Sequence, residues 1–274
     1  MADNTLLKSA NVVVFLFFVL VTGYSLFSKD VIADIFRGYE TYFDPARWMF
    51  LVWVLIHLLL LCFVAYQWTN DAHETVVNGV GWHFVVAALL NSLWFSLLES
   101  HHPILGFIVG ILLLVSVSVI FYNLAENFAP ETWAQRFLIH APFSVWHGFT
   151  IFMAVWNAFV AFTTVRKDQF GIILHPNILH VILVYAALAF LTLSAIGYVQ
   201  YKHERCDVIS AWVIAFCLWA VFDHQLDPLL HWPALAAALI STIWPITPFV
   251  YHMVKYRTIH PEERERILNS TTTN

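Results

Sequence analysis

The stretch Arg47-Trp48-Met49-Phe50-Leu51-Val52-Trp53-Val54-Leu55-Ile56-His57-Leu58-Leu59-Leu60-Leu61-Cys62-Phe63-Val64-Ala65-Tyr66-Gln67-Trp68 decides the fold. After Arg47 it holds no charged residue, and its apolar side chains follow one another without alternation. A helix of about 20 such residues crosses the roughly 30 Å hydrocarbon core of a bilayer. In lipid the backbone has no water to bond, so a crossing segment is either a helix or a strand of a closed barrel. Barrel strands alternate apolar and polar positions. This segment does not, and a transmembrane helix follows.

The same pattern recurs along the chain. Residues are 60% hydrophobic and 11% charged, where a soluble domain carries about 25% charged residues. The other apolar blocks run from about Ala10 to Ser28, Val80 to Leu98, Ile104 to Leu124, Phe137 to Thr164, Asn177 to Tyr201, Val208 to Phe222 and Trp232 to Met253. The expectation is an all-α, polytopic membrane helix bundle of about eight transmembrane helices. It divides into five helices over residues 1–165, three more over 166–254 and a polar tail over 255–274. Asp223-His224-Gln225-Leu226-Asp227-Pro228 reads either as a loop between the last two spans or as a re-entrant turn. Lys8 precedes a long apolar stretch with no small-residue cleavage site behind it, so this segment reads as a first span and not as a signal peptide.

Eight spans put both termini on one side, together with Lys8, Arg136, Lys202, Arg205, Lys255, Arg257, Arg264 and Arg266. Lys29, Arg37, Arg47, Arg166 and Lys167 fall on the other side. Eight basic residues against five lean toward cytoplasmic ends. A cytoplasmic tail would leave the glycosylation acceptor Asn269-Ser270-Thr271 unused. No run of like charge marks a nucleic-acid surface. Cys62, Cys206 and Cys217 form neither a CxxC pair nor an even set, so no disulfide frame or zinc site is expected. The partners expected are the lipid bilayer and a hydrophobic small molecule. A homodimer is one assembly open to such a bundle.

Polar side chains inside a span are costly and tend to face the bundle interior. They are Asn91, His57, His147, Asn157 and His180. The asparagines suit hydrogen bonds between helices, worth about 0.6–2 kcal/mol each. The histidines suit packing or an interfacial place equally well. Trp48, Trp82, Trp133 and Trp232 sit near span ends, as aromatic belts do. Trp53, Trp94, Trp146, Trp156, Trp212 and Trp244 lie deeper. Several interior tryptophans together can wall a pocket for a planar or polycyclic ligand, since each gives a flat apolar face with one N–H donor.

Two acidic–histidine clusters stand at span ends on one face. One is Glu99, His101 and His102. The other is Asp223, His224, Asp227 and His231. Imidazole and carboxylate suit zinc or non-haem iron, and such a metal activates water. The spacing matches no zinc signature, so no metal site is expected. Glu99, His101, His102, Asp223, His224 and Asp227 are the catalytic candidates if the protein is an enzyme.

The stretch Arg47 to His57 resembles the segment F-x-x-V-W-x-x-L-Y of the translocator protein and tryptophan-rich sensory protein (TspO/MBR) family. Leu90-Asn91-Ser92-Leu93-Trp94 resembles that family's L-N-x-x-W. Pro142-Phe143-Ser144-Val145-Trp146, with Trp156-Asn157 at the far end of the same span, resembles its proline, aromatic and closing asparagine. The three occur in family order. The resemblance covers about residues 10–164, making the first five helices TspO-like. The last three look like the extra C-terminal helices of longer members. Phe43-Asp44-Pro45 stands where the family has W-x-P-P, and His57 stands where it has tyrosine.

The resemblance implies a pocket inside the first five helices that binds a tetrapyrrole, sterol or other isoprenoid for sensing or transport. It implies a porphyrin or haem as a ligand, and no fixed cofactor. The ligand-binding residues it points to are Trp53, His57, Asn91, Trp94, Trp146, His147 and Asn157. The second reading is an intramembrane enzyme acting on a lipid or terpenoid through the acidic–histidine clusters. A secondary transporter would show an internal repeat with matching broken helices, and the chain shows none.

Overall fold

A computed structural model of the chain describes residues 4–27, 38–201, 207–251 and 253–254. Eight long helices make up the described part: α1 Thr5–Phe27, α2 Leu51–Tyr66, α3 His83–Glu99, α4 Pro103–Asn127, α5 Ala141–Phe162, α6 Ile178–Gln200, α7 Val208–His224 and α8 Pro228–Ile243. Among the described residues there is no strand beyond one bridge, between Lys167 and Ile173. Six of the helical stretches are long and apolar enough to cross a membrane. The other two, α3 and α7, have 17 residues each, about 25 Å at 1.5 Å per residue, the lower edge of a span.

The ends of the helices follow from local chemistry. Pro103 and Pro228 occupy first-turn positions, where a missing N–H costs nothing. Asn177, Asp207 and Asp227 cap α6, α7 and α8 by accepting from first-turn backbone N–H groups. The cap at Asp227 starts α8 at Pro228, earlier than the expected Trp232. The third span begins later than expected, at His83. Thr75–Val80 forms a π turn, and Gly81 turns the chain with φ 54°. A tight hairpin joins α7 to α8, with Leu226 almost fully exposed at its tip. The tail expected over 255–274 lies outside the described residues, as do Lys29, Arg37, Lys202, Arg205 and Cys206.

In packing, α3 lies along α4, α4 along α5, and α1 against α3 and α2. Helices α6, α7 and α8 pack on one another, and α7 docks on α5. That docking is a backbone contact. A Cβ at Gly148 would stand 2.7 Å from the Ser210 carbonyl oxygen and 2.9 Å from its Cα. Only glycine allows α5 and α7 to come this near.

A second joint lies in the segment before α2. The buried Asp44 carboxyl accepts from the Thr41 backbone N–H at 2.7 Å, the Thr41 hydroxyl at 2.7 Å and the Trp156 indole at 3.1 Å. Burial pushes this carboxyl above its ordinary pKa, against the pull of those hydrogen bonds. The Asp44 carbonyl accepts from Gln225 at 3.1 Å, and the Ala46 N–H donates to Ala220 at 2.8 Å. The loop that replaces the family's W-x-P-P therefore ties α2, α5 and the α7–α8 hairpin together. Phe43 is buried there and stacks on Phe159 at 4.8 Å.

Candidate functional site

The interior of α1 to α5 is built from aromatic side chains. Trp53 on α2, Trp94 on α3 and Trp146 on α5 are 1%, 2% and 0% exposed. Their positions follow from helical periodicity, which turns one stripe of each helix toward its neighbours. The Trp53 ring lies 6.4 Å from Trp94, 5.4 Å from Phe95 and 5.0 Å from Phe149. From α1, Phe18 closes the cluster. It meets Trp53 edge-on at 5.9 Å, stacks on Trp146 at 5.7 Å and lies 4.6 Å from His57. Such ring pairs add about 0.5–1.5 kcal/mol each beyond the area they bury.

Beside these rings lies a cavity of about 10 Å³, lined by Trp53, Trp94, Gly110, Leu113, Thr150, Met153 and Asn157. That is room for one water-sized group. Gly110 makes the space. A Cβ there would stand 2.8 Å from Asn157 Nδ2 and 3.6 Å from Trp94 Cδ1. The lining carries no charged side chain.

The polar atoms around the cluster are largely unmatched. Trp53 Nε1, Trp94 Nε1, Trp146 Nε1, both amide atoms of Asn91, Asn157 Oδ1 and His57 Nε2 are buried without a hydrogen-bond partner in the protein. An unmatched buried polar group costs about 1–3 kcal/mol, and native interiors hold few of them. His57 is bonded on one side only. Its Nδ1 lies 2.5 Å from the Trp53 carbonyl, which can only accept, so Nδ1 carries the proton and Nε2 keeps a lone pair. The partner is the carbonyl of its own helix, one turn back.

Of the residues expected at the site, Trp53, His57, Asn91, Trp94, Trp146 and Asn157 are buried or half-buried in this interior. His147 is not among the cavity lining. It faces the neighbouring helices, with Nε2 2.9 Å from Ser118 Oγ, Nδ1 2.5 Å from the Tyr198 hydroxyl, and its ring stacked on Phe121 at 4.4 Å. Trp156 is as buried as Trp53, but its indole is committed to Asp44. Trp212 lies 41% exposed on the outside of α7, and Trp244 is half-buried beyond α8. Phe18, Gly110, Thr150 and Met153 were missed by the sequence reading. Small or aliphatic residues in a span carry no signal of which way they point.

The acidic–histidine clusters do not converge. Asp223 accepts from the Trp48 indole at 2.8 Å. Asp227 caps α8 and contacts His175 Nδ1 at 2.5 Å. His231 Nδ1 donates to the Gln225 carbonyl at 2.7 Å. His101, with φ 58°, lies 3.3 Å from the Tyr39 hydroxyl. Among the described residues, no three His, Cys, Asp or Glu side chains gather as a metal requires. Asp223, Asp227, His231 and His101 are thus turned to separate partners, and Glu99, His102 and His224 lie at the same helix ends.

No curated protein and no solved structure matches the chain. A family model described as "TSPO-like protein" matches it over residues 6–247. The match runs from the first turn of α1 past the end of α8, so the kinship suggested by the first five helices extends through the last three. The protein is thus an integral, multi-pass membrane protein, and the chain belongs to the TSPO-like family.

Proposed function

We propose that the chain binds a hydrophobic small molecule in the aromatic interior of α1 to α5, for sensing or transport. The observation that supports this is the gathering of unmatched polar atoms on Trp53, Trp94, Trp146, Asn91, Asn157 and His57 around apolar ring faces. An isolated core would be more stable with those atoms paired or absent. A ligand that is apolar over most of its surface and polar at one end satisfies both. Within the tetrapyrrole, sterol and isoprenoid classes, an uncharged lining of one-water size suits a single hydroxyl or carbonyl better than the paired carboxylates of a porphyrin.

A ligand of that size needs a pocket of about 300–1,000 Å³, so binding separates helices that are closed on one another here. Helix α1 is the mobile wall in this proposal, because it covers the cluster through Phe18. Tryptophan fluorescence of the protein in nanodiscs, titrated with protoporphyrin, haem, cholesterol and farnesol, tests the reading. Binding of cholesterol or farnesol that weakens at least tenfold in Trp94→Phe supports it. Equal affinity in wild type and Trp94→Phe for all four overturns it. His57→Phe refines the contact: loss confined to haem marks an axial ligand, and affinities within about twofold exclude the imidazole.

A further inference from the structure

The segment that joins α5 to α6 folds into a small hairpin over residues 166–174. The Asp168 N–H donates to the Ile172 carbonyl at 2.9 Å and the Leu174 N–H to the Arg166 carbonyl at 2.8 Å, so Lys167 and Ile173 face each other as an antiparallel bridge. Asp168 Oδ1 closes the tip by accepting from the Phe170 and Ile172 N–H groups, and Gly171 makes the turn with φ 80°. The base is tied to the segment before α2. The Glu40 carbonyl accepts from the Val165 N–H, and Lys167 pairs with the Glu40 carboxylate. The Tyr42 hydroxyl accepts from the Arg166 N–H at 3.1 Å and donates to the Leu174 carbonyl at 2.8 Å.

The polar atoms of this hairpin are thus spent on holding its shape, and its apolar side chains are turned outward. Phe170, Ile172 and Ile173 are 79%, 63% and 52% exposed. Successive side chains of an extended strand point to opposite faces, so Ile172 and Ile173 leave both faces of the hairpin open. A protein laid against it would cover one face, whereas a medium that surrounds it covers both. The position of the hairpin supplies that medium. Phe162 and Ile178 are the ends of two membrane-crossing stretches, and they are 64% and 81% exposed. The apolar surface of the hairpin therefore continues into the lipid-facing surface of α5 and α6. At about 3.3 Å per residue the tip reaches about 8 Å beyond the Lys167–Ile173 bridge, and the headgroup layer of one leaflet is about 5–8 Å deep. Arg166, exposed at the base, brings a positive charge to the level of lipid phosphates. The α7–α8 hairpin, joined to this segment by the contact of His175 with Asp227, adds the exposed Leu226 on the same side of the bundle.

We propose that the 166–174 hairpin is an interfacial anchor, a non-helical element that dips into the leaflet beside α5 and α6. Phe170, Ile172 and Ile173 lie at the boundary between headgroups and acyl chains, where an apolar side chain gains by leaving water, and Arg166 meets lipid phosphate. Because its base is bonded to Glu40 and Tyr42, the anchor also fixes the segment that carries Asp44 at the membrane surface.

Photocrosslinking tests the anchor. The full chain carrying Phe170→benzoylphenylalanine is reconstituted in nanodiscs of phosphatidylcholine and phosphatidylserine, irradiated, and its adducts are read by mass spectrometry. The same probe at Leu193, exposed on α6 within its span, gives the yield for full contact with lipid. Position 170 is exposed and takes another aromatic ring, so the fold is kept. The expected result is a bond from position 170 to the glycerol or acyl chains of the lipid, in a yield within tenfold of that at Leu193. A yield below a tenth of that value, bonds to the headgroup alone, or adducts to a second protein chain in place of lipid overturn the proposal.

Discussion

The first five helices and the last three solve the same packing problem with opposite materials. Between α6, α7 and α8 the buried positions include Ala187, Ala195, Ala211, Ala220, Ala234 and Ala238. Small side chains let membrane helices approach closely and gain dispersion contacts without a hydrophobic drive. Between α1 and α5 the buried positions include Trp53, Trp94, Trp146, Phe84, Phe143 and Phe149. The cavity at Gly110 lies among these rings. Unmatched atoms of the last three helices, such as His180 Nδ1 and Ser241 Oγ, lie outside any such cage. An alanine seam suits a scaffold, whereas an aromatic interior with spare donors suits the ligand binding proposed above.

The largest expected effect breaks the joint between the two halves. Gly148→Val drives a side chain into the Ser210 backbone, which cannot yield as a flexible side chain would. A loss of about 3 kcal/mol is expected, seen as a lower midpoint in detergent unfolding followed by circular dichroism. A midpoint equal to wild type would show that α7 is not held against α5 in this way.

The Asp44 joint comes next. Asp44→Asn leaves one of three donors unmatched, so a loss of about 2 kcal/mol is expected. Its pH dependence has a definite sign. A raised folded pKa means that the folded chain holds this proton more tightly than the unfolded chain. Its contribution is fully present below the ordinary carboxylate pKa and is lost as pH rises through the raised value. Asn removes this slope, so unfolding midpoints across that window should be flatter in the variant. An unchanged slope would assign the titration to another group.

Gly110→Ala acts on the receptor half alone. Its Cβ would crowd Asn157 Nδ2 and fill the one-water space. Ligand affinity should fall about tenfold, or 1.4 kcal/mol, in the fluorescence titration. Unchanged affinity would place the polar end of the ligand elsewhere. The smallest effect is on the scaffold: a Cβ at Gly197 of α6 meets nothing within 4 Å. Gly197→Ala should stabilise by about 0.5–1 kcal/mol and leave ligand binding untouched.

The sequence made some of this legible. Hydropathy located all eight helices, because a span must be continuously apolar whatever it packs against. Trp53 and Trp94 were correctly put inside. For Trp212, exposed, and Trp244, half-buried, the sequence left lipid-facing and core packing both open, since an apolar ring is equally at ease facing lipid and a single span does not state its azimuth. The partners of His147, Ser118 and Tyr198, went unseen because they lie 29 and 51 positions from it and look like ordinary membrane-helix polarity. Asp44 and Trp156, 112 positions apart, form a joint that neither residue announces. The acidic–histidine clusters misled in the other direction: neighbours in sequence at a helix end point around the helix, toward Trp48, His175 or a backbone carbonyl.

The central claim is that the aromatic half is a receptor. Photoreactive analogues of cholesterol and farnesol, crosslinked to the protein in nanodiscs and mapped by peptide mass spectrometry, test it directly. The expected adducts of at least one analogue fall on Trp53–His57, Asn91–Trp94 and Trp146–Asn157, and disappear under excess unlabelled ligand. Adducts confined to the outer faces of α6 and α8, or undiminished by competitor, would contradict it.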